Sequence, residues 1–471
     1  MFQLFVDRER ELKFLEERYA SGEPELLVIY GRRRIGKTAL LLRFAQNKPH
    51  IYFLATEKPY RDSVKDLKML FADYLGDELF RLAEIRDFET LFREFFQRKG
   101  SERIVLIIDE FPVLIEGYKP VVSIFQRLWD TFLSKRRDVF LVLCGSSIGM
   151  METEVLGYRS PLYGRRTGQW MLREMDFLGI GGFFPNYSTE DLVKAYSVVG
   201  GVPSYLASFD ARKTFEENLV ENIFSKGGYL YEEAEILLKQ ELRKPANYFT
   251  ILRAIAAGKE SFGEIVNETE LDKSLVSKYL SVLQNLNIVE RELPTFSSIK
   301  AKTRIKKGRY TIIDNYFRFW FRFIYPNRGI LESEDLESFM SQFKKEFNNY
   351  LGETFENICR KYILRKLVTE PLQEVGRWWH KETEIDIVAI NNQLIAAEVS
   401  WSNLSQKEAE STLKKLEAKT EKIGSTKKKH YILIAKKIQG KSQLQNTNHS
   451  AYDLEDVEKL ITRPSGNRKT H

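Results

Sequence analysis

The sequence predicts a multidomain α/β protein whose first part is a parallel sheet covered by helices on both faces. Three observations carry this expectation. Four short apolar runs, ELLVIY (25–30), HIYFLA (50–55), RIVLIID (103–109) and VFLVLCG (139–145), are bounded by polar or turn residues and read as buried strands. Segments with helical spacing lie between them, at 37–47 and 63–75 among others. The chain has 471 residues, which at roughly 150 residues per domain points to about three domains.

Beyond the first sheet, expected to span 1–170, a helical lid is expected over 171–242. From 243 to 326 the pattern changes to three short helices (247–257, 261–268, 272–285), then IVEREL, a loop and GRYTIID. Three helices and a two-stranded hairpin make a winged helix-turn-helix. A last α/β domain is expected over 343–462: a helix, strands at 384–390 and 393–400, a Lys/Glu-rich helix at 406–420 and a strand at 430–435.

Composition narrows the class. With 43% hydrophobic and 30% charged residues, a mainly disordered chain, a collagen and a disulfide scaffold are all excluded. Cys144 and Cys359 are too few for a disulfide framework or a Cys-rich zinc site. No apolar run approaches the roughly 18 residues a membrane helix needs, and MFQLFVDRER has no apolar signal core. The expectation is a cytoplasmic protein without a membrane partner.

The net charge is +7, from 73 Lys and Arg against 66 Asp and Glu, and it is unevenly placed. Residues 296–309 carry Lys300, Lys302, Arg304, Lys306, Lys307 and Arg309 with no acid. Residues 405–441 carry eleven Lys against Glu408, Glu410, Glu417 and Glu421. Such a distribution fits a polyanion partner, DNA above all, and equally a solvated Lys-rich surface.

The most specific signal is Gly31-Arg32-Arg33-Arg34-Ile35-Gly36-Lys37-Thr38, which fits G-x-x-x-x-G-K-[ST] between a strand and a helix that continues through Ala39. Glycines let the backbone turn its N–H groups onto phosphate oxygens at a helix N-terminus. Lys37 is expected on the β- and γ-phosphates and Thr38 on Mg²⁺, so ATP and Mg are the expected cofactors. RIVLIIDE suits a neighbouring strand of the same sheet. It ends in Asp109, expected on the Mg²⁺ shell, and Glu110, expected to polarise the attacking water. VFLVLCG delivers Ser146 as a γ-phosphate sensor. Arg165 and Arg166 offer a guanidinium to the transferring phosphoryl group, from the same subunit or from a neighbour in a homo-oligomer. They read equally as surface ion pairs. In Gly200-Gly201-Val202-Pro203-Ser204, Pro203 is a candidate to pack on adenine.

GRRRIGKT, LIIDE, CGSS and GGVPSYL, in this order, resemble the archaeal ATPases of the AAA+/STAND class of P-loop NTPases. Phe5-Val6-Asp7-Arg8-Glu9 resembles that group's motif near the nucleotide base, which implies Asp7 and Arg8 as nucleotide-binding residues. The resemblance runs on through YTIIDNYFRFWFRFIYP (310–326), and it implies a C-terminal PD-(D/E)xK nuclease-type, restriction-endonuclease-like fold.

In the winged helix, Lys273, Ser277 and Lys278 are expected in the major groove, and Lys300, Lys302, Lys306 and Lys307 on phosphates. In the last domain Asp386 and Glu398, with Glu356 on the preceding helix, are the acids a metal-dependent nuclease would use. The pattern then wants Glu-x-Lys, and here the third residue is Ser400. Lys407, Lys414 or Lys415 would have to substitute, or the domain does not cleave. The expected protein is thus an ATP-hydrolysing switch that binds DNA. A nucleotide-gated protein scaffold and an ATP-regulated endonuclease stand beside it.

Overall fold

The computed structural model describes residues 5–242, 245–295, 308–333 and 335–462. The chain forms two compact units, 1–174 and 175–471.

The first unit is built on five parallel strands: β1 (Glu25–Tyr30), β2 (His50–Leu54), β3 (Ile104–Asp109), β4 (Val139–Gly145) and β5 (Gly168–Met171). Their order is β2-β3-β4-β1-β5. Every residue of β1, β3 and β4 is buried, as unbroken apolar runs require when helices cover both faces. One face packs on an aromatic layer from the helices Tyr60–Leu75, Phe88–Arg98 and Val121–Thr131, including Phe71, Phe92, Phe95 and Phe125. The other covers the helices Glu9–Ala20 and Lys37–Ala45 through Leu15, Leu40, Leu41 and Phe44. β3 is not the immediate neighbour of β1, because β4 lies between them with its register on both.

The second unit begins with helices that include Thr189–Val199 and the short Pro203–Leu206. The helices Ala246–Ala256, Phe262–Thr269 and Lys273–Asn285 follow, then an antiparallel hairpin of β6 (Val289–Glu292) and β7 (Arg309–Ile312). Ser261 starts the middle helix with a reciprocal cap, taking the N–H of Glu264 while the Glu264 carboxylate takes its own. A separate mixed sheet follows: β8 (Glu374–His380), β9 (Thr383–Ile390), β10 (Leu394–Leu404), β11 (Lys429–Ile438) and β12 (His449–Tyr452), ordered β12-β11-β10-β9-β8. The helix Gln406–Glu421 packs on it through Ala409, Leu413 and Leu416. The long helix Leu336–Ile358 contacts β10. Among the described residues no helix is long and apolar enough to cross a membrane.

Candidate functional site

The loop after β1 turns through Arg34 and Gly36, both left-handed (φ 67° and 90°), into the helix Lys37–Ala45. The first helical bond runs from Leu40 N to Gly36 O at 3.0 Å. The N–H groups of Lys37, Thr38 and Ala39 therefore lie at an end where no intrahelical acceptor exists, a natural anion site. Lys37 is buried, with its Nζ donating to the carbonyls of Gly31 (2.8 Å) and Arg32 (3.0 Å). The ammonium is folded over its own loop. Burial pushes its pKa down, while Cys144, Glu110 and Asp109 push it back.

Asp109 ends β3 and is 2% exposed. One carboxylate oxygen accepts from Thr38 Oγ1 at 2.7 Å and from the Tyr52 phenol at 2.8 Å, and the other accepts from Glu110 N at 2.9 Å. Burial first, then the Asp109 charge, drives the Tyr52 pKa up, so the phenol stays a donor. Glu110 has φ 54° and ψ 43°, a left-handed conformation uncommon outside glycine. Its carboxylate accepts from Ser146 Oγ at 2.8 Å and Ser146 N at 3.2 Å. Because β4 lies between β1 and β3, the carboxyl ends of three adjacent strands bring Lys37, Thr38, Asp109, Glu110 and Ser146 to one edge of the sheet. In an open α/β sheet that edge is where ligands bind.

Arg8, left-handed at φ 78° and 8% exposed, donates to the carbonyls of Ile35 (3.2 Å) and Arg173 (2.8 Å) and pairs with Glu11. It braces the loop from below. Asp7 beside it is exposed. Arg165 is engaged by Asp130 at 3.1 Å, a surface ion pair. Arg166 lies 6.0 Å from the Tyr163 ring centre, and its charge acts on Tyr30 at the end of β1. Pro203 belongs to the second unit, where it opens its short helix. Fully buried Cys144 has its thiol pKa pushed well up.

In the winged helix, Lys273, Ser277 and Lys278 are exposed while Val276, Leu280 and Leu283 on the other face are buried. Lys300, Lys302, Lys306 and Lys307 lie outside the described residues.

The C-terminal acids are close enough to act on one another but are already engaged. Glu356 accepts from Arg377 Nε at 2.8 Å, Asp386 from Val399 N at 2.8 Å, and Glu398 from Lys419 Nζ at 2.8 Å. Burial and the neighbouring acids push Glu356 and Asp386 up to about 7 against the pull of the cations. Among the described residues no group of three or more His, Cys, Asp or Glu side chains is placed to hold a metal ion. Lys407, Lys414 and Lys415 are exposed, and the lysine that reaches Glu398 is Lys419. Tyr52, Arg377 and Lys419 stand in no motif that would single them out in the sequence.

A family described as an ATPase domain predominantly from Archaea matches residues 5–209. One described as the arsR family of bacterial regulatory proteins matches 249–291, and one of archaeal and bacterial proteins of unknown function matches 320–412. The uncharacterized protein MJECL04 of Methanocaldococcus jannaschii is 37% identical over 461 residues, covering 96% of this chain and all of that one. The uncharacterized ATP-binding protein PYRAB12000 of Pyrococcus abyssi is 26% identical over 277 residues, covering 51% of this chain and 81% of that one. Among solved structures, the Walker-type ATPase PABY2304 of Pyrococcus abyssi superposes with TM-score 0.51 at 20% identity, over 68% of this chain and 96% of that one. That likeness is one of fold. The chain therefore belongs to the same family as its full-length Methanocaldococcus relative, with an ATPase domain of the archaeal type in its first half and an ArsR-type helix-turn-helix after it.

Proposed function

We propose that this protein is a magnesium-dependent, ATP-hydrolysing switch of the AAA+/STAND kind that binds DNA through its winged helix. Its proposed parts are an ATPase core at 1–170, a lid at 171–242, the winged helix at 243–326 and a nuclease-like α/β domain at 343–462 that does not cleave. The observation that carries the reading is the arrangement at the sheet edge. Lys37 bridges two loop carbonyls, Thr38 meets Asp109 at 2.7 Å, and Glu110 is held by Ser146.

The hydroxyl of Thr38 and the carboxylate of Asp109 are an all-oxygen donor pair at the anion-binding helix end, which fits a hard divalent cation. Bound Mg²⁺ would supply charge neutralisation of the phosphate oxygens. The rest falls to the chain itself. Residues 31–39 cradle the triphosphate, and the Lys37 ammonium exchanges two carbonyls for β- and γ-phosphate oxygens. Glu110 leaves Ser146, becomes free to accept a proton from the attacking water, and Ser146 turns its hydroxyl to the γ-phosphate. Arg166, from its own subunit or a neighbour in a homo-oligomer, is the arginine left to meet developing charge, since Asp130 holds Arg165. Asp7 is proposed at the base.

Lys273, Ser277 and Lys278 are proposed to face base edges, with the 300–307 lysines on phosphates. Steady-state ATPase measured with and without duplex DNA, beside DNA binding at two salt concentrations, tests the whole. The expected result is Mg-dependent turnover and binding that weakens steeply with salt. Turnover that survives Lys37→Ala, or no DNA binding at low salt, would remove the corresponding half.

A further inference from the structure

The root of the wing hairpin offers one charge of each sign. Glu292 on β6 and Arg309 on β7 are direct cross-strand partners, yet neither is given to the other. Glu292 accepts from Arg360 at 2.9 Å. Arg309 donates both terminal nitrogens to Glu384 of β9, at 2.7 and 2.9 Å, with its guanidinium 4.7 Å from the Trp379 ring centre. The C-terminal domain thus presents the base and the acid that match the acid and the base of the hairpin. A fork-to-fork arginine–carboxylate pair is directional as well as strong.

Backbone geometry closes the same seam. Thr295, just past β6, donates its N–H to the carbonyl of Arg377 at 2.9 Å. A Cβ on Gly376 would lie 2.1 Å from Thr295 Oγ1, so the Thr295 side chain would have to shift to admit one. Arg377 itself sits where the β8–β9 register shifts between Gly376 and Trp378. A bulge re-aims its side chain, here onto Glu356, with Glu384 at 3.5 Å. Glu356 also lies 3.8 Å from Arg360. The carboxylate expected to hold a metal is therefore held between two guanidinium groups of its own domain. Breaking such a pair for a cation would strand buried charge.

We propose that the C-terminal domain is a docking platform for the winged helix, with Arg360 and Glu384 binding Glu292 and Arg309 of the hairpin and Arg377 taking the place of a divalent cation on Glu356. The hairpin and the C-terminal sheet then move as one body, and the exposed face of the helix Lys273–Asn285 is presented from a fixed base.

The test is hydrogen exchange on the full chain, without nucleotide or DNA, read at the amides of 289–295 and 309–312. Arg309→Gln and Glu384→Gln should each speed exchange there roughly tenfold, as loss of one charge-assisted pair implies. The double variant should do little more than either single, because each already breaks the same contact. Amides of β1 and β3 serve as the folding control. Should either variant unfold the chain, the Glu292→Gln and Arg360→Gln cycle asks the same question at the second contact. Millimolar Mn²⁺ should leave the hairpin's exchange unchanged. Unaltered exchange in the single variants would overturn the proposal, and so would independent, multiplying effects in the double. A Mn²⁺-induced change abolished by Asp386→Asn would overturn the replacement of metal by arginine. Since no arm uses ATP or DNA, failure of the switch reading would leave these outcomes untouched.

Discussion

Both units hold carboxylates that are at least partly withdrawn from solvent, and they satisfy them in different ways. In the first, Asp109 and Glu110 take bonds from neutral donors: the hydroxyls of Thr38, Tyr52 and Ser146 and the N–H groups of Glu110 and Ser146. In the second, Glu356, Glu384 and Glu398 are bonded to Arg377, Arg309 and Lys419, while Asp386 takes the neutral N–H of Val399. Neutral donors leave the negative charge uncompensated and are readily exchanged for a cation. A guanidinium already supplies the opposite charge, and displacing it leaves an unpaired buried ion. On that argument the first arrangement is the one proposed for Mg²⁺ and phosphate, while Glu356, Glu384 and Glu398 are already charge-paired. Type of residue alone would not separate them; type of partner does.

The largest expected effect is at Lys37. Lys37→Ala should lower turnover about a thousandfold with the melting temperature nearly unchanged, whereas Asp386→Asn should leave turnover within about twofold. Steady-state phosphate release checks both. If the second unit's carboxylate also sets the rate, the contrast breaks.

Glu110→Gln should cut turnover about a hundredfold while nucleotide binding, followed with a fluorescent ATP analogue, is retained. Parental turnover would show that Glu110 does not handle the water.

The third expectation is a pH dependence confined to the second unit. Glu356 and Asp386 are pushed up to about 7, burial being the first cause in both. Their folded pKa lies above the unfolded value, so their contribution to stability is full at low pH and is lost as pH rises through about 7. Each group should lower the unfolding free energy by at most about 1.4 kcal/mol per pH unit inside that window. Urea unfolding between about pH 5 and 7 measures this slope, and Asp386→Asn should remove part of it. A slope of the opposite sign would mean the carboxylates are fully compensated.

The smallest effect belongs to Tyr52. Tyr52→Phe keeps the ring and removes one donor from Asp109, so the Mg²⁺ needed for half-maximal nucleotide binding should change about fivefold with little change in stability.

How much of this the sequence reveals depends on how local the signal is. The phosphate loop was legible because its chemistry needs fixed residues within eight positions, and β1 to β4 because buried parallel strands are unbroken apolar runs. β5, GQWM, is four residues long and mostly half-buried, so it carries no pattern. β8, EVGRWWH, loses its alternation at Arg377. The interposition of β4 between β1 and β3 is a matter of strand order, which periodicity does not encode. Tyr52 reads as an ordinary strand aromatic until β2 is set beside β3. Lys419 stands among eleven lysines in residues 405–441, and only the packing of its helix on β10 distinguishes it from Lys407, Lys414 and Lys415. The charged seam joins residues from 292 to 384 in the chain, beyond the reach of any local motif.

The most direct measurement counts bound Mn²⁺ by electron paramagnetic resonance on the full chain, with a non-hydrolysable ATP analogue present. One site per chain is expected, lost in Thr38→Ala or Asp109→Asn and unchanged in the Asp386→Asn, Glu398→Gln double variant. Loss of bound Mn²⁺ in that double variant, with the site retained in Thr38→Ala and Asp109→Asn, would contradict that expectation.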